Sequence, residues 1–537
     1  MTPPLPVVRQ PMINFDSPAW SDINLLPVQF LRKPLNVLDA HWRQYPIAVA
    51  ATFTRAYRWL RRRQSKFESL PSETLVEIFL HLGWRDILLS REVCKRLFEI
   101  SKSRPIWLSL LHQCSMILPR PPTLDRSVDL YTTQELEDLV VSRISAEVAW
   151  RSRKDPRYRE IALPNGFGEA DIVLVDGGRW LLALSELQVH YGCILAYDLD
   201  APEIQEPAVI VRPQDAWDAQ RAFFMAVDMD KNEPTLTFNV CIMPEKYGGP
   251  GDVFETLLGE REEVPIPILQ VYQVRQLEHG SKAKLVSRRL HSFPLPMHGE
   301  TRGISLRGPH FARMFRSLNG HDRIEVYEWT KCEASTHVKA SILYADHWPI
   351  GVSILPDFKL LVIRRCDMAV YNIQQLISIS IPETEDDQIV TLDPYFTTTL
   401  KDRGLHPLFA TFSRPHIDTR TTRVAVTLKQ GIYGLIIPRN GDSPRVTMIS
   451  NDKIFGEHIC IGINRLFSQS GLTTWAASYT WPDDDALGLD GELRRPLPFH
   501  ERRRDYGQIC QFPALMDEET GRVVNGFEGG LAVLDWM

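Results

Sequence analysis

Five short runs with one rhythm constrain this chain most: Leu195-Ala-Tyr-Asp-Leu199, Gln270-Val-Tyr-Gln-Val274, Glu325-Val-Tyr-Glu-Trp329, Ala369-Val-Tyr-Asn-Ile373 and Ala532-Val-Leu-Asp-Trp536. They share an apolar-aromatic-polar-apolar rhythm that marks them as candidate equivalent strands, and turn residues separate them. Their spacing is irregular, with long gaps that have room for a further blade or large insertions, and it is compared with the roughly 40 to 50 residues of propeller repeats. From Ile161 onward the chain therefore reads as all-β, and the fold as a β-propeller of about six to eight blades. The order inside a repeat recurs too. Asp171–Val175, a turn at Asp176-Gly177-Gly178, Arg179–Leu184 and Cys193–Asp198 are matched by Gly351–Leu355, Pro356-Asp357, Lys359–Ile363 and Met368–Tyr371. A strand at the extreme C-terminus that pairs with an early one closes the ring and removes exposed edges. Two β-sandwiches or a solenoid are the alternative architecture.

Upstream the period changes from strand to helix. Pro71 and Glu73 suit the first turn of a helix, where a missing N–H costs little and a carboxylate meets the positive dipole end. Leu75, Ile78, Phe79 and Leu82 then form one apolar stripe, which Gly83 is expected to end. Asp86 is placed as the cap of a second short helix with Ile87 and Leu88. A third, with Val93, Leu97 and Ile100 inward, is expected to stop near Lys102, before Pro105, with Trp107 as an apolar plug. A unit this small cannot bury all that surface by itself, so part of it should face another protein.

At these residues the chain resembles the F-box family. The ordered set is Leu70-Pro71, the Leu75/Ile78/Phe79/Leu82 stripe, Asp86-Ile87-Leu88, Val93-Cys94-Lys95-Arg96 and Pro105-Ile106-Trp107. Gly83-Trp84 stands where the family often has proline, and Leu97-Phe98 where tryptophan is frequent. The resemblance implies docking on the Skp adaptor of a cullin-based, SCF-type ubiquitin ligase. The residues it points to are Leu70, Pro71, Leu75, Ile78, Phe79, Leu82, Ile87, Leu88, Val93, Cys94, Leu97 and Trp107. The rest of the chain would choose an unknown protein client, and the propeller resembles irregular WD-type propellers without a full Gly-His and Trp-Asp signature. An F-box scaffold without ligase activity, or a propeller enzyme regulated through its F-box, are the alternatives.

The implied organisation is a proline-rich arm over 1–66 with one short basic helix, Pro46 to Arg63, an F-box over 67–115, a linker and bracing helix over 116–160, and the β domain over 161–537. In the bracing helix, Thr132 and Glu135 have capping-box spacing, and Leu136, Leu139, Val140, Ile144 and Val148 make the expected inward stripe ending near Trp150. A length of 537 residues exceeds what one core usually holds, which agrees with this division.

Composition narrows the chemistry. A net charge of −6 gives no basic field for nucleic acid, and no run is long and apolar enough to span a membrane. Eight scattered cysteines offer neither metal pairs nor a disulfide framework, which fits a reducing compartment, cytoplasm or nucleus. No catalytic residue, metal site or cofactor is expected. Gly166-Phe-Gly168 is followed by a strand pattern rather than a helix, so it reads as a loop. His291 and His298 sit in a loop-like HSFPLPMH segment, and Cys94 reads as a packing residue. The acidic runs 383–387 and 483–485 and the arginines 494–495 and 502–504 read as solvated charge. The aromatic residues Trp217, Phe223 and Phe224 are candidates for core or recognition.

Overall fold

In the computed structural model the residues described are 70–117, 122–151 and 155–536. Excepted within the last span are 163–171, 186–191, 202–205, 213–220, 247–266, 296–298, 318–320, 345–348, 365–366, 375, 381–391, 400–410, 419, 429–430, 451–457, 471–472, 480, 482–499, 504–513 and 528–529. The Pro46 to Arg63 helix, Gly166 to Gly168, Trp217, His298, both acidic runs and Arg494-Arg495 lie outside them. Met1–Leu75 and Val76–Met537 are separate compact units. Among the described residues five α-helices come first: α1 (Ser72–Leu80), α2 (Trp84–Ser90), α3 (Lys95–Ser101), α4 (Arg104–Ile117) and α5 (Thr133–Arg151). Thirty strands follow among the described residues, arranged in seven sheets.

The first strand, β1 (Arg157–Ala162), does not join the sheet of the strands that directly follow it. Blade 1 contains β2 (Ile172–Leu174), β3 (Trp180–Leu184), β4 (Ile194–Asp198) and β5 (Ala208–Val211). Blade 2 is β6 (Arg221–Met229), β7 (Thr237–Lys246), β8 (Ile268–Leu277) and β9 (Lys284–Pro294). Blade 3 is β10 (Gly299–Arg307), β11 (His310–Ser317), β12 (Asp322–Glu328) and β13 (Thr336–Tyr344). Blade 4 is β14 (Pro349–Leu355), β15 (Lys359–Arg364), β16 (Asp367–Asn372) and β18 (Pro394–Thr399), and its connection lends β17 (Ile377–Ser380) to the outer edge of blade 3. Blade 5 comprises β19 (Thr411–Phe412), β20 (His416–Ile417), β21 (Thr421–Leu428), β22 (Gly431–Pro438) and β23 (Arg445–Ser450). Blade 6 is β24 (His458–Ile461), β25 (Arg465–Ser470), β26 (Thr473–Ser478) and β27 (His500–Arg503). Blade 7 joins β28 (Leu515–Asp517), β29 (Arg522–Phe527) and β30 (Gly530–Asp535) to β1, so the two ends of the β domain share one sheet.

The ring is a seven-bladed propeller, within the expected six to eight. The rhythmic runs are the third strands of blades 1, 2, 3, 4 and 7. Their tyrosines have one job. Tyr197, Tyr272, Tyr327 and Tyr371 are each buried against the preceding blade, while the residue beside them in the strand points to the other face. An apolar cluster fills every junction, for example Phe293, Phe311 and Trp329 between blades 2 and 3, and Ile432, Leu466 and Trp481 between blades 5 and 6. Phe223 and Phe224 are absorbed into the clusters on either side of blade 2. His291 lies on β9 rather than a loop, its Nε2 paired with the Cys332 carbonyl at 2.5 Å. Arg414 reaches across the ring from blade 5 to blade 1, pairing with Asp176 and the Leu174 carbonyl.

Helix α5 has the predicted capping box. The Thr132 N–H donates to Glu135 at 2.7 Å, and the Glu135 N–H returns a bond to Thr132 Oγ1 at 3.3 Å. Its buried face differs from the expected stripe. Leu136 and Val140 are buried, but Leu139, Ile144 and Val148 are only half-buried; Glu137, Arg143, Ala146 and Ala149 are buried instead. Buried charge is possible here because each of those two charged groups meets an opposite one, described below.

Candidate functional site

The helical end begins at α1, where the Leu75 N–H donates to the Pro71 carbonyl. Gly83 does not end α1. It occupies the N-cap of α2, and Asp86 lies inside that helix's first turn. Val93 is in the turn before α3 and is 71% exposed, not inward, while Leu97 and Ile100 are buried as expected. The third helix ends as expected, with Lys102 as its C-cap, before Pro105. That proline falls in the first turn of α4, where proline's missing N–H had no partner to lose.

The docking set read from the sequence thus divides by burial. Phe79, Ile87, Leu97 and Trp107 are buried, and so is Leu75. Leu70, Leu82, Leu88 and Cys94 are half-buried, with Cys94 at the N-cap of α3. Pro71, Ile78 and Val93 are exposed, and Leu89, absent from the sequence-derived set, is 57% exposed beside them in the chain. Leu89 was missed because it falls off the α2 pattern that Ile87 sets. Trp107 is held by its own polar atom, Nε1 donating to the Ser101 carbonyl at 2.8 Å.

Arginines join these helices to the linker. The Arg91 guanidinium forks onto the Glu137 carboxylate of α5 at 2.5 and 2.7 Å, its Nε donates to Ser101 Oγ at 2.7 Å, and it lies 5.6 Å from the Trp107 ring centre. Arg104 donates to the Tyr131 carbonyl and, at 2.8 Å, to that of Val128. Arg126 pairs with Glu135 at 2.6 Å. Burial works to raise the Glu135 carboxyl, but bonds from Thr132 and Arg126 outweigh it and hold the group below its usual range.

The linker in turn grips the propeller. Asp125 accepts from Gln276 Nε2 at 2.9 Å and from the Tyr131 hydroxyl, and its carbonyl accepts from the Leu236 N–H at 2.9 Å. Burial, then the Asp125 carboxylate, push the Tyr131 hydroxyl far above its ordinary value. At the far end of α5, Glu147 pairs with Arg465 of blade 6, which lies 4.9 Å from the Trp150 ring centre; Trp150 stacks at 4.6 Å on Trp536. Glu519 of blade 7 accepts from Thr123 N–H and Oγ1, both at 2.7 Å. Among the described residues no group of three His, Cys, Asp or Glu side chains is placed to hold a metal ion, and no helix is long and apolar enough to cross a membrane.

Residues 67–113 match the F-box-like family model. No curated protein matches the chain. Among solved structures, the WD40 domain of SCAP from fission yeast aligns at 9% identity over 68% of this chain and 81% of its own, with a TM-score of 0.33. A Trypanosoma rangeli sialidase in complex with sialic acid aligns at 10% identity over 61% of this chain, with a TM-score of 0.31; the match spans 57% of the sialidase.

Proposed function

An F-box-like segment followed by a seven-bladed propeller is the premise from which we propose that this protein is a substrate receptor of an SCF-type ubiquitin ligase. The F-box end would bind the Skp adaptor and through it the cullin, and the propeller would hold a protein client, in the cytoplasm or nucleus. The observation that carries the reading is the family match over 67–113. The exposed Ile78, Leu89 and Val93 support it, because three large apolar side chains left in water within one short stretch gain most by being covered. In this reading Phe79, Ile87, Leu97 and Trp107 shape the docking surface from beneath. The receptor does no bond chemistry itself. It raises the effective concentration of client lysines near the transferring subunit and orients them.

The test is adaptor binding by the purified full chain carrying Ile78→Glu, Leu89→Glu and Val93→Glu together. Exposed positions tolerate such changes within about 0.5 kcal/mol each. Burying even one carboxylate at an interface is far costlier, so binding should fall by more than 100-fold. Unchanged binding at unchanged helix content refutes the docking assignment. A copurified client that is ubiquitinated by wild type and not by this variant separates a ligase receptor from a scaffold.

A further inference from the structure

The turn that joins β28 to β29, Asp517-Glu518-Glu519-Thr520-Gly521, places three successive buried carboxylates against three different parts of the chain. Asp517 accepts from the Gly177 N–H of blade 1 at 2.9 Å and from Thr520 of its own turn. Glu518 accepts from the Ile463 and Asn464 N–H groups of blade 6 at 2.7 and 2.9 Å, and its carbonyl accepts from Arg465 at 2.8 Å. Glu519 takes both donors of Thr123 in the linker; burial and then the Asp517 charge push its carboxyl up from the ordinary value, and the Arg143 charge on α5 opposes them. The fit is close on all sides. A Cβ on Gly462 would lie 2.1 Å from Glu518, one on Gly178 would lie 2.4 Å from Thr520, and one on Gly521 would lie 3.1 Å from Ala146 of α5.

We propose that this turn positions the F-box end, and that it does so only when the ring is closed, which makes Glu518 and Glu519 positioning residues for the receptor proposed above. Blade 7 gains its fourth strand only when β30 has paired with β1, and the turn meets Gly177 of blade 1 and Ile463 of blade 6 together only in the closed ring. The seat of Thr123 and α5 is therefore completed by closure. Arg465 carries the same dependence a second way: one nitrogen holds the Glu518 carbonyl and another the α5 residue Glu147. From α5 the Arg91–Glu137 fork passes the placement on to the helices around Trp107. An opened blade 7 would release the linker, and with it the fixed distance between adaptor and client.

The distance can be read directly in the full chain, with spin labels on non-natural residues at positions 99 and 277, both exposed and neither in the docking set. Wild type should give one narrow distribution. Glu519→Ala should widen it at least twofold while adaptor binding holds, and Glu519→Gln, which keeps an acceptor for Thr123, should restore most of it. Gly462→Ala touches no linker contact but displaces Glu518, so it should widen the distribution as well. Thr123→Ala reaches the same contact from the linker side and leaves blade 7 intact should the Glu519→Ala chain fail to fold. Narrow distributions in Gly462→Ala and Thr123→Ala would overturn the proposal. Loss of adaptor binding by the wild-type chain would refute the F-box reading instead and leave the distance result standing.

Discussion

His337 offers a measurable pH dependence confined to one blade. Its ring is completely buried in blade 3, with ring centres of Phe293 and Tyr327 at 5.3 and 5.6 Å. Burial first, then the Lys339 charge, push its pKa down from 6.5 to about 4, against a weaker upward pull from Glu325. The folded state therefore keeps the ring neutral where an unfolded chain already binds a proton. Stability is complete above pH 6.5 and is lost as pH falls toward 4. The loss amounts to about 2 kcal/mol at pH 5 and about 3 kcal/mol at pH 4. A β domain of roughly 380 residues unfolds with an entropy near 0.8 kcal/mol/K, so the pH 5 term lowers its melting midpoint by about 2–3 °C. The assay is the midpoint by tryptophan fluorescence at pH 7.5 and 5.0, in wild type and His337→Leu. The substitution shifts both midpoints by a constant packing term, but the drop between the two pH values should shrink by that 2–3 °C. An equal drop in both proteins refutes the assignment.

Two further outcomes concern packing. Trp107→Ala empties a fully buried site and strands the Ser101 carbonyl, so the helical end should lose about 3–5 kcal/mol, seen as earlier loss of far-ultraviolet helix signal while the propeller transition stays in place. Gly434→Ala puts a methyl 2.4 Å from Trp481 Cζ3 and should cost about 1–3 kcal/mol in denaturant unfolding; adding Trp481→Phe should recover part of it, and strict additivity of the two changes would show that they do not touch.

The same glycine shows why the repeat was only partly readable. The third strand of blade 5 contains Ile432-Tyr433-Gly434-Leu435, with Tyr433 buried against blade 4 like its counterparts. Trp481 fills the space where the expected polar side chain would stand, so the rhythm breaks although the strand does not. Blade 6 has Trp475-Ala476-Ala477 at that place and lost the signal altogether. Where hydropathy alone set the structure, as in the hairpin at Asp176-Gly177-Gly178, the reading held: both glycines have positive φ, the conformation the turn needs. It failed on α5 because Glu137 is buried in an ion pair with Arg91 and Arg143 in the field of Glu519, both distant in sequence, which no periodicity reveals. In the F-box segment the apolar residues were identified, but a hydrophobic residue in a small unit can face the core or the partner. The alternation between Phe79, buried, and Ile78, exposed, needs coordinates to assign.

The pairing of β1 with β30 also governs how the protein is made. Arg157–Ala162 leaves the ribosome behind the F-box and linker, yet its partner, Gly530–Asp535, follows about 370 residues later. At about 5–20 residues per second that interval is about 20–75 s. Throughout it a strand bearing Ile161 stands without its native partner, while the strands of blades 1 to 6 all pair within chain already made. An unpaired edge recruits other chains. Nascent copies are thus most exposed to aggregation, and most in need of a chaperone that shields extended strands, before Gly530–Asp535 has been made.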